Sequence, residues 1–111
     1  MVSTLAAESH TDAVLLPSDG SFVSLLTNPT VTVTGSGNPV QITAYLYGVN
    51  PSFVQVQLVV DGTILISDSG DTSFTMVTTL NAGTHTIVWE ATSFTDGNYT
   101  GPRGISVLNL T

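Results

Sequence analysis

The chain has 111 residues, enough for one domain with a modest core, and eight acidic residues against one basic residue give a net charge of −7. Charged residues make up 8% of the chain, about a third of the share usual in soluble domains. Arg103 is the single cation of the chain. Binding to nucleic-acid phosphates or to anionic lipid is therefore excluded, because both need several Lys or Arg residues. The 41% of hydrophobic residues excludes a disordered chain.

The sequence also limits the compartment and the covalent chemistry. No apolar run approaches the roughly 18 residues of a membrane-spanning helix, and the N-terminal residues lack the basic start of a secretory signal. We therefore expect a soluble protein that is not classically secreted. Because the chain has no cysteine, disulfides and thiolate metal sites are excluded.

The first residues differ in pattern from the rest of the chain. Residues 1–20 include apolar side chains without a sustained period, and a Ser-Asp-Gly turn separates them from a short strand-like segment at 22–26. We interpret 1–20 as an extended N-terminal arm outside a β-sandwich domain of residues 21–111. Such an arm would dock on a sister subunit or a larger assembly; the alternative is that it packs back on its own domain.

Beyond this segment, period-2 alternation recurs between turn signals that are about ten residues apart. A strand is predicted at 30–34, and the clearest one follows at 40–47, where alternate residues beginning with Val40 are apolar. The next predicted strand, 53–60, leads into Asp61-Gly62, a strong two-residue hairpin turn.

The second half of the chain continues this alternation. Strands are predicted at 63–67, 73–80, 84–91 and 105–110, and Trp89 is the largest single candidate for burial in the core. Helical periodicity is nearly absent. The sequence therefore predicts an all-β fold: an antiparallel β-sandwich of jelly-roll or Greek-key type with about eight strands.

Nucleophilic catalysis and zinc binding are not expected. The chain has two histidines, one in the predicted arm (His10) and one in a predicted strand (His85), and no G-x-S-x-G motif. Because His85 has the same parity as Ile87 and Trp89, we expect a semi-buried histidine that hydrogen-bonds to neighbouring backbone. Two distant histidines do not supply the three or more ligands of a zinc site.

Loop carboxylates leave one alternative open. Asp61, Asp68, Asp71 and Asp96 all fall in predicted loops, and hard cations such as calcium take clustered oxygen ligands. The D-x-[DN]-x-[DN]-G pattern is absent, however, and turns use Asp for their own backbone hydrogen bonds. We therefore predict no metal, no cofactor and no enzymatic activity.

Surface aromatic residues and the single cation are candidates for contact with a partner. Tyr45, Tyr47 and Phe53 have outward-facing parity, so we expect them in a protein interface, with stacking against sugar rings as the alternative. If Arg103 is buried it must be paired, and we expect either Asp96 or an acidic residue of a neighbouring subunit. The alternative is an exposed Arg103 beside a turn.

Three runs of sequence suggest a family. They are Val31-Thr32-Val33-Thr34-Gly35-Ser36-Gly37-Asn38-Pro39-Val40, Leu58-Val59-Val60-Asp61-Gly62-Thr63, and the stretch from Phe74 to Ile87 with its Leu80-Asn81-Ala82-Gly83 turn, followed by a terminal Ile105-Ser106-Val107. On these residues the stretch from Val31 to Leu110 resembles small jelly-roll domains of the tumour-necrosis-factor and complement-C1q type found in bacteriophage structural proteins.

This resemblance implies a homotrimeric structural component of a virion. The expected role is that of a capsid decoration, or cement, protein that binds the major capsid protein or another virion protein and stabilises the shell through many repeated contacts. Arm residues Leu5, Val14, Leu15 and Leu16 would carry the docking. On this interpretation, deletion of residues 1–20 leaves a folded sandwich but abolishes assembly.

A second function stays open at the level of sequence. The domain could instead be the carbohydrate- or receptor-binding head of a phage fibre or adhesin, with loop aspartates and surface tyrosines as its contacts. A glycan array on the isolated domain separates the two functions, since a sugar-binding head binds alone and a cement protein binds only assembled shell.

Overall fold

The computed structural model describes residues 3–26, 31–48 and 54–110. Within these ranges the chain forms nine β-strands and no helix, so no described helix is long and apolar enough to cross a membrane. The strands are β1 (Ser3–His10), β2 (Val23–Ser24), β3 (Val31–Gly35), β4 (Pro39–Leu46), β5 (Val54–Val60), β6 (Thr63–Ser69), β7 (Thr72–Thr79), β8 (Gly83–Ser93) and β9 (Arg103–Asn109).

The strands form two antiparallel sheets that pack as a jelly-roll β-sandwich. One sheet has four strands in the order β1-β9-β4-β7, and the other has five, in the order β2-β8-β5-β6 with β3 also paired to β8. The predicted fold class is therefore confirmed. Consecutive strands often lie in different sheets, so most contacts in this fold join residues that are far apart in the sequence.

The core lies between the sheets and follows from the alternation in the sequence. Along β4 and β5, every second residue is buried, from Val40 to Leu46 and from Val54 to Val60. Trp89 is fully buried, as predicted, and its ring packs edge-on against Phe74 of the opposite sheet at a centroid distance of 5.6 Å. The indole N–H donates to the backbone oxygen of Tyr45 at 3.2 Å, so its polar atom is satisfied.

The interpretation of residues 1–20 as an arm outside the sandwich is wrong. Residues 3–10 form β1, which pairs with β9 and makes one edge of the four-stranded sheet. Leu16 is 2% exposed and belongs to the core, and the backbone of Leu16 and Pro17 bonds to Asn98 and Ser93. Packing on the chain's own domain gives these backbone groups partners and buries Leu16, so residue 20 does not divide the fold.

Candidate functional site

An aromatic surface lies on the outer face of the four-stranded sheet. Because Ala44 and Leu46 of β4 face the core, Tyr45 faces outward, and Tyr47 follows it at the end of the strand. The two rings lie 5.6 Å apart between centroids and are inclined by 31°. Tyr47 is 42% exposed and Tyr45 is half-buried, so the pair offers aromatic surface to a ligand or a partner.

The half-buried position of Tyr45 depends on a glycine in the neighbouring strand. Gly104 of β9 is the register partner of Tyr45, and a Cβ added at Gly104 would lie 2.9 Å from both Cε1 and the hydroxyl oxygen of that ring. Such distances are too short for real Cβ atoms. The ring of Tyr45 therefore lies across β9, over the one residue type that leaves room for it.

Beside this ring the sheet surface is depressed. The depression, here called the Tyr45 groove, encloses about 320 Å³ and is lined by Ala7, Glu8, Ser9, Thr43, Tyr45, Ile105 and Ser106. Most of these residues are small, and they belong to three adjacent strands, because Ala7 is the register partner of Ser106, which in turn pairs with Thr43. Small side chains beside a large ring produce the depression.

The Tyr45 groove is polar but almost uncharged. The hydroxyl of Thr43 is hydrogen-bonded to that of Thr75 at 3.2 Å, and Ser9 and Ser106 add further hydroxyls. Hydroxyls both donate and accept hydrogen bonds. Glu8 also borders the groove, but its register partner is Ile105, whose side chain is buried in the core. The Glu8 side chain therefore lies on the inner side of the sheet, where Oε2 pairs with Nε2 of His10 at 2.7 Å.

A second cavity, of about 270 Å³, lies at one end of the sandwich. Its lining includes His10, Asp12, Thr100 and Arg103 together with the apolar side chains of Leu16 and Leu25. The guanidinium of Arg103 is already engaged: Nε donates to the Leu25 carbonyl at 2.7 Å, and Nη1 to the carbonyls of Asp12 and Gly101 at 2.7 and 3.2 Å. Arg103 thus fastens this end of the fold together.

Arg103 is buried, with 6% of its surface exposed, so the expectation of an exposed Arg103 beside a turn is wrong. The prediction that Asp96 pairs with it is also wrong, since Nη2 of Arg103 bonds to Oδ1 of Asp12 at 3.1 Å. The physical reason is register: His10 of β1 lies opposite Arg103 of β9, so the chain beyond His10 runs past the guanidinium.

The predicted docking residues have different environments. Val14 and Leu15 are exposed at 40% and 55%, whereas Leu16 is in the core and Leu5 packs against the core from β1. Leu16 is therefore unavailable to a partner, and the prediction that it docks is wrong. Phe53, predicted as an interface residue, lies outside the described residues.

His85 joins two turns at the other end of the molecule, and as predicted it bonds to neighbouring backbone. Its Nε2 donates to the Asn81 carbonyl at 2.7 Å, and Nδ1 lies 2.6 Å from Oδ2 of Asp61. Asp61 and Gly62 have φ values of 52° and 81°, as the predicted two-residue hairpin turn requires. Since both partners of the ring are acceptors, the arrangement favours the doubly protonated imidazolium.

This pair predicts a pH window for stability. The hydrogen bond from His85 and that from the Thr86 amide lower the pKa of Asp61 below 3.8, and the bond to Asp61 raises the pKa of His85 above 6.5. The Asp61 contribution to the free energy of unfolding is lost as pH falls through its lowered pKa, and the His85 contribution is lost as pH rises through its raised pKa. The urea midpoint should therefore decline on both sides of this window.

The matched variant is His85→Gln, which removes the cation. Above pH 6.5 the urea midpoint of wild type should decline as His85 loses its proton, and this part of the decline should be absent in His85→Gln. Equal midpoints for the two proteins at every pH would contradict the assignment.

The loop aspartates do not gather into a metal site. Among the described residues no group of three or more His, Cys, Asp or Glu side chains is placed to hold a metal ion. Asp61 accepts from His85 and from the Thr86 amide, and Asp68 accepts from Thr72 and from the Ser69 amide. Asp61 serves the turn in which it lies, whereas Asp68, predicted in a loop, lies near the end of β6 and bonds across the turn to Thr72 of β7.

The contribution of β1 to the groove was not predicted from the sequence. Ala7, Glu8 and Ser9 line it, but the run Ser3–His10 has no sustained alternation of apolar and polar residues that would mark it as a strand. The only indication of a strand here was indirect: the last predicted strand, 105–110, would otherwise leave an edge of backbone groups without a partner in the sandwich.

Comparison with known proteins gives a likeness of fold. No family model and no curated protein matches the chain. The structure is similar to the CBM36-1 domain of a multidomain xylanase from the hindgut metagenome of Trinervitermes trinervoides, with a TM-score of 0.52 and 12% identity over 86% of this chain and 96% of that one.

Two further structures are similar at TM-scores below 0.5. A family 35 carbohydrate binding module from Clostridium thermocellum gives 0.46, with 13% identity over 95% of this chain and 97% of that one. A protein of Bacillus endospore appendages, which form disulfide-linked pili, gives 0.39, with 13% identity over 96% and 89%. At these values only the first similarity supports a statement, and that statement is the shared sandwich fold.

Proposed function

We propose that this chain is a non-catalytic carbohydrate-binding module and that the Tyr45 groove is its binding surface. The observation that carries the proposal is the half-buried ring of Tyr45 beside a depression lined by the hydroxyls of Ser9, Thr43 and Ser106. Ligand sites commonly combine an aromatic or apolar surface with a few placed polar groups.

A sugar ring matches this combination of groups. One face of a pyranose is formed by C–H groups and can pack on an aromatic ring, while its rim carries hydroxyls. The ring of Tyr45 supplies the apolar contact and the nearby Ser and Thr hydroxyls supply donors and acceptors. The likeness to the CBM36-1 domain of a xylanase is one of fold, and a fold does not by itself imply a function, so the proposal depends on the residues of the groove.

The experiment is a glycan array probed with the isolated chain. The proposal predicts binding to a restricted set of glycans without any other protein present. Loss of that signal in Tyr45→Ala, with retention in Tyr99→Ala, ties it to the groove, because Tyr99 is 49% exposed in a loop and lies outside the groove lining. Absence of glycan binding by a folded protein would contradict the proposal.

The homotrimeric virion role is the second candidate, because the structure leaves apolar side chains on the surface. Val14, Leu15 and Val77 are between 40% and 59% exposed, and association with a sister subunit or a capsid protein would remove them from water. The mass of the species in solution tests this role: a trimer supports it, and a stable monomer at high concentration contradicts it.

A further inference from the structure

We infer that the Tyr45 groove selects uncharged sugars and rejects glycans that carry carboxylate or sulfate groups. The inference rests on the proposed function and names the class of ligand for the same site. It is based on the distribution of charged residues in the chain and on the burial of Arg103, the single Lys or Arg side chain.

The strands around the groove offer no cation. The outward positions of the four-stranded sheet that the structure describes carry hydroxyl, amide and apolar side chains, such as Gln41 and Thr43 on the strand of Tyr45 and Thr75 on the neighbouring β7. Arg103 also belongs to β9, but its guanidinium lies on the inner side, 6% exposed. Four hydrogen bonds to Leu25, Asp12 and Gly101 hold it there, so it does not reach a ligand on the outer face.

The carboxylate that belongs to a groove residue is already paired. Glu8 borders the groove, but its side chain lies on the inner side of the sheet and is bound to His10. His85, the other histidine, belongs to β8 in the opposite sheet and is bound to Asp61. An acidic sugar placed in the groove would therefore meet a protein of net charge −7 with no basic side chain to pair with its anion.

The hydroxyl groups that line the groove also match the hydrogen-bonding capacity of a neutral sugar. Each Ser or Thr hydroxyl can donate one hydrogen bond and accept others, and a sugar hydroxyl has the same capacity. A carboxylate accepts only, and without a charged donor its burial against Tyr45 leaves the anion poorly compensated. Neutral hexoses and pentoses therefore form the ligand class that this lining recognises.

The test is an array that presents laminari-, cello- and galacto-oligosaccharides beside the same chains oxidised at C6 to uronates. Binding to a neutral member with at least about fivefold weaker binding to its uronate form supports the inference, since an anion left without a charged donor beside the ring loses at least about that much affinity. Added salt should narrow the difference by screening while leaving neutral binding nearly constant.

Two lysine variants of equal net charge locate the effect. Gln41→Lys places a cation beside the groove, at an outward position of β4 that is outside the lining, and should raise affinity for the uronate about fivefold. Thr84→Lys places the same charge on the exposed outer face of β8 in the other sheet and should raise it less.

The outcomes separate the two proposals. Equal or tighter binding of the uronate overturns the selectivity while leaving the carbohydrate-binding function in place. Equal effects of the two lysine variants would assign the discrimination to overall charge and overturn the role of the groove in it. Binding of neither form overturns the proposed function, and the selectivity with it.

Discussion

Removal of residues 1–20 is expected to unfold the domain. The deletion takes away the edge strand β1, removes Leu16 from the core, and removes Asp12, which binds the buried Arg103 through its carbonyl and its carboxylate. Loss of a buried leucine costs about 2–5 kcal/mol, and the buried Arg103 loses two of its four hydrogen bonds, each of which contributes about 1.5–3 kcal/mol when one partner is charged. Their sum reaches most of the roughly 5–15 kcal/mol that stabilises a whole domain.

The measurement is urea unfolding followed by tryptophan fluorescence, since Trp89 is fully buried in the core. Wild type should unfold cooperatively, and the truncated chain should show no folded baseline. Leu16→Ala in the full chain isolates the core contribution and should lower the free energy of unfolding by about 2–5 kcal/mol. Val14→Ala, at a 40% exposed position, is the matched control and should change it little. A truncated chain with the wild-type midpoint would contradict the assignment of β1 to the fold.

Tyr45→Ala is expected to weaken glycan binding by at least about tenfold. The substitution removes the ring that walls the groove, and central aromatic contacts typically contribute 2 kcal/mol or more when they are truncated. Titration calorimetry with the tightest glycan of the array measures the change. The fold should survive, because the contact of Tyr45 with Trp89 is made by its backbone oxygen.

Two further variants define what the ring does. Tyr45→Phe keeps the stacking surface and should retain most of the affinity. Gly104→Ala places a Cβ 2.9 Å from the ring and 2.8 Å from the backbone oxygen of Glu8, so it should weaken binding and also lower the unfolding midpoint. If Tyr45→Ala keeps the wild-type affinity and the wild-type unfolding midpoint, the proposal that the Tyr45 groove binds the glycan is contradicted.

The regular strands were predictable because their signal is local. In β4 and β5 the alternation of apolar and polar residues indicates both the strand and its inner face, and the Asp61-Gly62 turn joins β5 to β6. The burial of Trp89 follows from the same alternation along β8. Such patterns depend on neighbouring residues and need no knowledge of which strands pair.

The edge strand and the groove depend on pairing between distant parts of the chain, which no local pattern encodes. Tyr45 was predicted to face outward, but the space beside it exists because Gly104 and Ser106 lie opposite β4 and because Ala7 lies beyond them. Similarly, the pairing of Arg103 with Asp12 joins residues that are 91 positions apart. These relations follow from strand order and register, which are set by the packing of the whole sandwich.

The most direct test of the central claim, that the outer face of the four-stranded sheet binds glycan, is a titration followed by backbone amide NMR shifts. Shifts caused by the bound neutral glycan are expected to cluster at Ser9, Thr43, Tyr45 and Ser106, on three adjacent strands. Shifts confined to the loops at the ends of the sandwich, or to the five-stranded sheet, would contradict it.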